Sequence, residues 1–174
     1  MSRAVGHSSI PGLDPRISSG KVTIAVETPL QADVRALVTA LNAYLIPLTP
    51  PEFQFQLTAE QMAEPTVTVF VVRDDSGRPL GMGALKEHGG GVGEVKRMFT
   101  LPEVRGRRIG SQLLERIEML ARERGITRLV LETGEAPGFE PAWRVYERGG
   151  FTVCGAVLDY PDSGHNRFYE KQLA

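Results

Sequence analysis

The stretch that most constrains the fold runs from residue 94 to residue 133, where two strand patterns enclose a basic loop and a helix pattern. "EVKRMFT" (94–100) and "RLVLET" (128–133) have the apolar and β-branched content of strands. The helix predicted between them runs from about Arg107 to Arg124 and is closed by Gly125. Two strands joined through one helix form a parallel pair with a right-handed crossover. The sequence therefore predicts an α/β domain.

The rest of the chain predicts further strands that are joined by short turns. The turn residues of "DDSG" (74–77) should connect strands over 66–73 and 79–87 as a hairpin, and "GGGVG" (89–93) is a second flexible turn. The other expected elements are a strand over 21–27, an amphipathic helix over 30–45, a short helix from Thr58, a helix over 141–150, and strands over 151–158 and 166–173. We therefore predict a single domain over 21–174. Its mixed, mainly antiparallel sheet contains a central parallel crossover and is flanked by helices.

Composition excludes several classes of function. Residues 1–20 are rich in Ser, Gly and Pro, which predicts a flexible N-terminal tail. A net charge of −1 gives no global field that would draw the chain to nucleic acid or to a membrane. The single cysteine, Cys154, excludes an internal disulfide framework, and three scattered histidines offer no metal-ligand spacing. No apolar stretch approaches the ~20 residues of a spanning helix, and no signal-peptide pattern is present, so a cytoplasmic location is expected.

The loop before the predicted helix concentrates positive charge in this nearly neutral chain. Between residues 95 and 110, five basic residues accompany one acidic residue, Glu103. The first N–H groups of a helix have no intrahelical partner, and the helix dipole adds positive charge, so a basic loop at this position is suited to holding phosphate. Gly106 and Gly110 would let the backbone approach a ligand closely. The alternative is a solvated surface loop without a ligand.

Two other kinds of phosphate loop do not fit the segment. A P-loop requires a Lys directly after its last glycine, whereas Ser111 and Gln112 follow Gly110. A dinucleotide-binding fingerprint requires three spaced glycines, and residues 105–110 contain two.

Three partial matches, in the order expected along the chain, together resemble the GNAT family of N-acetyltransferases over residues 22–173. That family binds the pyrophosphate of acetyl-CoA with a loop that begins with Arg or Gln and contains spaced glycines; the matching segment here is 105–110, RGRRIG. "WRVYERGGF" (143–151) resembles a second family signature, and "GEVKRM", "LET" and "RFYEKQL" resemble a bacterial branch of small acetyltransferases. Arg108 stands where the family has glycine, so position 108 keeps its amide but must avoid backbone dihedrals open only to glycine.

The resemblance implies direct transfer of an acetyl group from acetyl-CoA to an amine while both substrates are bound. Glu94 matches a catalytic base of the histone-acetylating members, and its alternative is an ion pair with Lys96 or Arg97. Tyr146 matches the general acid of the family, and its alternative is a core tyrosine with a satisfied hydroxyl. A phenol with an ordinary pKa of ~10 is protonated at neutral pH. No metal is implied.

The acetyl-CoA site implied by the resemblance has two parts. The backbone of Met98, Phe99 and Thr100 would run beside the pantetheine arm, where the fourth and fifth strands splay, while the first two side chains pack in the core. The phosphates would lie on the basic loop and the start of the helix, positioned mainly by backbone N–H groups. The residues of this second part are Arg105, Gly106, Arg107, Arg108, Ile109, Gly110 and Ser111.

The acceptor side is less well specified. The last hairpin walls the acceptor site in the family, which makes Tyr160, His165, Arg167 and Tyr169 candidates. Basic residues that are candidates to hold a substrate carboxylate are Arg73, Lys96 and Arg97, although exposed basic residues usually have no specific role. Trp143 is expected to fill the core or an interface, and Cys154 to be a packed thiol.

The predicted function is an acetyl-CoA-dependent N-acetyltransferase that acts on a primary amine of a small-molecule or amino-acid-like acceptor. Two alternatives stay open: a protein lysine acceptor, and a catalytically silent acyl-CoA-binding module. Acceptor-dependent release of CoA, and its dependence on Glu94 and Tyr146, distinguishes catalysis from silent binding. No nucleic acid or membrane partner is expected, since no aromatic residues interleave with the arginines of 105–108. A homodimer through the last strands is expected by family analogy alone.

Overall fold

The structure, a computed structural model that describes residues 21–173, is built on one seven-stranded sheet. Its elements in chain order are β1 (Thr23–Val26), α1 (Ala32–Leu45), α2 (Ala59–Met62), β2 (Val67–Arg73), β3 (Pro79–Gly89), β4 (Val92–Thr100), α3 (Ile109–Glu123), β5 (Arg128–Gly134), α4 (Glu140–Arg148), β6 (Thr152–Cys154) and β7 (Asn166–Gln172). The strand order is β1-β2-β3-β4-β5-β7-β6. Only the β4–β5 pair is parallel, and α3 connects its two strands. The predicted fold class is confirmed, while the predicted tail over 1–20 lies outside the described residues.

Two amphipathic helices cover opposite faces of the sheet. On α1, the predicted apolar stripe packs with β2, β3 and β4 into one buried cluster; its buried members are Val34, Leu37, Val38 and Leu41. On α3, the buried residues are Ile109, Leu113, Leu114, Ile117 and Ala121, and they join a second cluster that includes Tyr146 of α4. Burial of these stripes, at about 25 cal/mol per Å² of apolar surface, fixes both helices against the sheet.

The predicted strand over 151–158 is wrong in its second half. Only Thr152–Cys154 pairs with β7, and the chain then leaves the sheet. Leu158 adopts a left-handed φ of 52°, and Val157 packs against Val130 and Phe168 instead of continuing a ladder. The departing chain carries Tyr160 toward β4, where its hydroxyl donates a hydrogen bond to Glu94.

Two irregularities of β4 open the middle of the sheet. β4 pairs with β5 only over Val92–Glu94, although both strands continue beyond this point, so they splay as the family resemblance implied. On the other side, Met82 pairs with Phe99 and Ala84 with Lys96, so Arg97 and Met98 together lie opposite Gly83. A bulge of this kind re-aims side chains and interrupts the ladder.

Candidate active site

A cavity of about 540 Å³ lies where β4 and β5 splay and is bounded by α1, α3 and α4. This volume is typical of small-molecule sites, which span about 300–1,000 Å³. The predicted cofactor residues that line it are Met98, Phe99, Thr100, Arg105, Gly106, Arg108, Ile109, Gly110 and Ser111. Among the predicted loop residues that the structure describes, Arg107 alone does not line it. Glu94 and Tyr146, the two predicted catalytic residues, also lie on its wall.

The N-terminus of α3, at the end of the basic loop, carries backbone donors that the helix itself does not use. The N–H groups of Ile109, Gly110 and Ser111 have no intrahelical acceptor, and the first turn holds no acidic side chain. These donors, the helix dipole and the neighbouring arginines make one end of the cavity positive. Gly110 also allows α4 to pack closely on the start of α3, because a Cβ at this position would lie 3.3 Å from Cγ2 of Val145 on α4.

Arg108 occupies an unusual backbone conformation directly before α3. Its φ of 60° and ψ of 23° lie at the left-handed region, which is small but open to L residues. The position thus avoids glycine-only dihedrals, as predicted, yet the conformation costs roughly 1–2 kcal/mol relative to an ordinary one. The turn before it is completed by Gly106, whose φ is 86°.

Tyr146 on α4 is both a core residue and a cavity residue. Its ring packs 5.8 Å from that of Tyr169 and 6.2 Å from that of Phe151, and 7% of the residue is exposed. Burial raises the pKa of Tyr146, and the negative charge of Glu132 adds to the rise. The phenol therefore holds its proton throughout the neutral range and is able to donate it.

Glu132, near the end of β5, is a site residue that was not predicted from the sequence. It lines the cavity, and no group among residues 21–173 donates a hydrogen bond to its carboxyl. Burial raises the pKa of Glu132 to about 7; the charge of Lys96 opposes the rise and that of Glu94 adds to it. The available signal was the one acidic residue of the otherwise mainly apolar strand pattern "RLVLET".

Glu94 lies at the centre of a buried hydrogen-bond network. Its Oε1 lies 2.8 Å from Nε2 of His88, and its Oε2 accepts hydrogen bonds from Nζ of Lys96 at 3.2 Å and from the hydroxyl of Tyr160 at 2.5 Å. The predicted alternative, an ion pair with Lys96, is therefore present. Tyr160 contacts Glu94 but does not line the cavity, and its acceptor-side role stays a prediction. Burial, together with the charge of Glu94, raises the pKa of Tyr160.

Most other acceptor-side candidates lie outside the cavity wall. Arg73 forms ion pairs with Glu27 and Asp33, at 2.9 and 2.6 Å. Tyr169 is fully buried, and its hydroxyl donates a hydrogen bond to Glu147 at 2.8 Å.

Arg167 forms an ion pair with Glu135 and stacks over the ring of Trp143. The Nε1 of Trp143 donates a hydrogen bond to the carbonyl of Gly134. The ring of His165 stacks on that of Phe53, with the ring centroids 5.0 Å apart. Burial raises the pKa of the half-buried Cys154 thiol, as expected for a packed thiol.

Comparisons with known proteins show the family to which the chain belongs. Residues 35–151 match the model of the acetyltransferase (GNAT) family. The chain belongs to the GNAT family. It is therefore an N-acetyltransferase by family, and the family uses acetyl-CoA.

Individual relatives and a solved structure are similar to this protein over most of its length. It is 42% identical to an IAA acetyltransferase of Azospirillum brasilense over 153 residues, which cover 87% of this chain and 98% of the relative. It is 35% identical to the N-acetyltransferase YedL of Escherichia coli (strain K12), over 87% of this chain and 94% of that one. A crystal structure described as an acyl-CoA N-acyltransferase, from Klebsiella pneumoniae subsp. pneumoniae MGH 78578, superposes with a TM-score of 0.74 at 31% identity, covering 88% of this chain and 98% of that chain.

A segment that the sequence did not assign closes this GNAT cavity. Residues 46–57 form two short 3-10 turns, Ile46–Leu48 and Pro51–Phe53, and several of their side chains line the wall. The segment is held by the side-chain amide of Gln54, which donates to the carbonyls of Ile46 and Thr49. Leu48 packs so tightly on Gly138 that a Cβ there would lie 2.7 Å from Cδ1 of the leucine.

Within residues 21–173, no group of His, Cys, Asp and Glu side chains is arranged to hold a metal ion. Over the same range, every helix is too short or too polar to cross a lipid bilayer.

Proposed function

We propose that this protein transfers the acetyl group of acetyl-CoA directly to a primary amine of a small-molecule acceptor. The observation that carries the proposal is the joining, in one cavity, of the α3 N-terminus, the protonated hydroxyl of Tyr146 and the carboxyl of Glu132. These groups supply the requirements of acyl transfer: an anion site, an acid for the leaving group and a base for the amine.

The described residues fit acetyl-CoA at the opening between β4 and β5. The free N–H groups at Ile109, Gly110 and Ser111 suit its pyrophosphate. The backbone edge of residues 98–100 that faces β5 is left unpaired where the two strands splay, and this edge suits the pantetheine amides. Bound acetyl-CoA supplies an activated thioester. Arg105 and Arg108 add attraction that salt screens, so the backbone donors are expected to dominate positioning.

Two carboxylates are candidates for the base. Glu94, predicted from the sequence, is 2% exposed and already accepts hydrogen bonds from Lys96 and Tyr160. Glu132 has no such partners among the described residues, and its pKa of about 7 matches a base that works near neutral pH. We assign proton removal from the amine to Glu132 and the holding of Lys96 and Tyr160 to Glu94.

Tyr146 is proposed as the acid. Its buried hydroxyl would donate its proton to the sulfur as the carbon–sulfur bond breaks. Glu132 then releases the amine proton to solvent, and Tyr146 regains one proton from solvent, so the cycle consumes and releases no net proton. Because burial raises the pKa of Tyr146, the phenol begins each cycle protonated.

Homodimerisation through the last strands and a cytoplasmic location remain predictions.

The experiment that tests the function measures CoA release from acetyl-CoA with a panel of primary amines, using a thiol reagent and an acceptor-free blank that corrects for Cys154. Glu132→Gln should lower kcat about 100-fold or more, whereas Glu94→Gln should act mainly on stability and KM. The reverse pattern would make Glu94 the base. Tight acetyl-CoA binding without release with any small amine or lysine peptide would indicate a silent binding module, and release with lysine peptides alone would indicate a protein acceptor.

A further inference from the structure

Arg97 on β4 carries a buried positive charge that the fold does not neutralise. The residue is 7% exposed, and no carboxylate among residues 21–173 forms an ion pair with it. Its one hydrogen bond within that range runs from NH2 to Oδ1 of Asn42 on α1, at 2.5 Å, and its buried Nε has no partner. Burial lowers the pKa of Arg97 to about 10, so the guanidinium stays charged at neutral pH.

The backbone of Arg97 is unfavourable as well. Its φ of 56° lies in the left-handed region, at the bulge where Arg97 and Met98 share Gly83 as their opposite residue. Such a conformation costs roughly 1–3 kcal/mol in a non-glycine residue. An unpaired buried charge carries a further penalty. An apolar side chain would remove the second penalty, so packing does not explain an arginine here.

Neighbouring basic residues show how this chain satisfies a structural charge. Lys96, one residue before, contacts Glu94 and Tyr160, and Arg73 on β2 pairs with two carboxylates. Arg97 differs from both, because it lines the cavity, has no carboxylate partner among residues 21–173 and has an Nε without a hydrogen bond. The missing anion is therefore to be sought in a ligand.

The position of Arg97 favours the acceptor rather than acetyl-CoA as that ligand. Its guanidinium is held by α1, which covers the sheet face opposite to α3. The phosphate-binding donors belong to the start of α3. Phe53 and Phe55, in the segment that follows α1 along the chain, line the same cavity and would accommodate an apolar substituent.

We propose that Arg97 binds a carboxylate of the acceptor, so that the substrate is an amine that also carries a carboxylate, as an α-amino acid does. This assignment rests on the proposed function, since it presumes that an amine acceptor enters the cavity. A guanidinium presents parallel N–H donors that match a carboxylate, and Asn42 fixes its orientation. The bound carboxylate supplies the absent counter-charge and leaves the amine directed toward Glu132.

The test compares matched ligands that differ only in the carboxylate. N-acetyl-L-phenylalanine and N-acetyl-2-phenylethylamine, and likewise N-acetyl-L-leucine and N-isopentylacetamide, are titrated calorimetrically into the protein loaded with CoA. The wild type should bind the carboxylate member of at least one pair about 10- to 100-fold more tightly. Arg97→Met should abolish that preference and bind CoA as the wild type does. Arg116→Met, on the exposed side of α3 and outside the cavity wall, is the matched arginine control and should keep the preference.

Each alternative outcome overturns the proposal. Equal affinity within both pairs, no binding of either carboxylate ligand, or an unchanged preference in Arg97→Met excludes a carboxylate site at Arg97. A parallel loss of CoA affinity in Arg97→Met would make Arg97 a contact of the cofactor instead. Should Arg97→Met not fold, Arg97→Lys keeps the charge without the fork of donors and should show a reduced preference. Because CoA binding is measured in the same titrations, a failure of the carboxylate site is distinguishable from a failure of the acetyltransferase proposal, in which CoA itself does not bind.

Discussion

Tyr160, beyond the end of β6, donates its hydroxyl hydrogen to Oε2 of Glu94 on β4 and accepts one from Nζ of Lys96. The contact ties the irregular chain after Cys154 to the centre of the sheet. It also means that Glu94 is buried with its negative charge stabilised by neighbours rather than by water.

Tyr160→Phe should therefore lower the free energy of unfolding by about 2 kcal/mol, since it removes a hydrogen bond to a charged, buried acceptor. Urea denaturation of the wild type, Tyr160→Phe, Glu94→Gln and the double variant gives the coupling between the two residues. A coupling of at least about 1 kcal/mol is expected for groups in direct contact. Additive effects would show that the hydroxyl and the carboxylate do not interact in solution.

Ser111→Glu should abolish tight acetyl-CoA binding without unfolding the protein. A carboxylate in the first turn of α3 interacts favourably with the helix dipole, by roughly 0.3–1 kcal/mol, so the fold is not weakened. The same carboxylate would accept the hydrogen bonds of the proposed pyrophosphate site and repel the negatively charged pyrophosphate. Calorimetric titration should show a dissociation constant for acetyl-CoA that is at least about 100-fold larger than that of the wild type.

Ser111→Gln is the matched control for size at this position. It should bind acetyl-CoA within a few-fold of the wild type, because it adds the same volume without the charge. Equal losses in both variants would point to a steric effect, and an unchanged affinity in Ser111→Glu would place the phosphates elsewhere.

Tyr146→Phe should lower kcat by about 100-fold and leave acetyl-CoA affinity unchanged, since the hydroxyl acts only as the carbon–sulfur bond breaks. Tyr169→Phe is a contrasting variant: its hydroxyl bonds Glu147 and Arg167 and does not reach the cavity wall. That variant should lose stability and retain kcat. Similar kcat values for the wild type and Tyr146→Phe would exclude the acid role.

The sequence was sufficient for the elements whose stability comes from local pattern. The stripe of α3, the hairpin at 74–77 and the parallel crossover depend on periodicity and turn residues, and all three are present. The loop at 105–110 could be singled out from the sequence because its glycines and arginines are consecutive, and most of it lines the cavity.

The sequence was insufficient where the site depends on contacts between distant segments. Tyr160 lies 66 residues from Glu94, and Asn42 lies 55 residues from Arg97. Glu132 and Arg97 become informative only once burial and the lack of partners are known, and neither property has a local signature. For the same reason the 46–57 wall was missed, since its 3-10 turns are held by side-chain contacts and not by a periodic pattern.

The raised pKa of Glu132 predicts a stability change with pH that runs opposite to that of a salt-bridged carboxylate. Its folded-state pKa of about 7 exceeds the ordinary value of 4.5, so the folded protein holds this proton more tightly than the unfolded chain does. The contribution to stability is fully present below about pH 4.5 and is lost as the pH rises to about 7. At one pKa unit per about 1.4 kcal/mol, the loss amounts to roughly 3 kcal/mol.

Glu132→Gln carries no titrating proton at this position. Its free energy of unfolding should therefore match that of the wild type near pH 5 and exceed it at pH 8, although the variant is the less active enzyme. Urea denaturation of both proteins at pH 5, 6, 7 and 8 gives the difference, in which all other titrating groups cancel. A difference that stays constant over this range would mean that Glu132 titrates as an exposed carboxylate does, and would remove the reason for assigning it the proton of the amine.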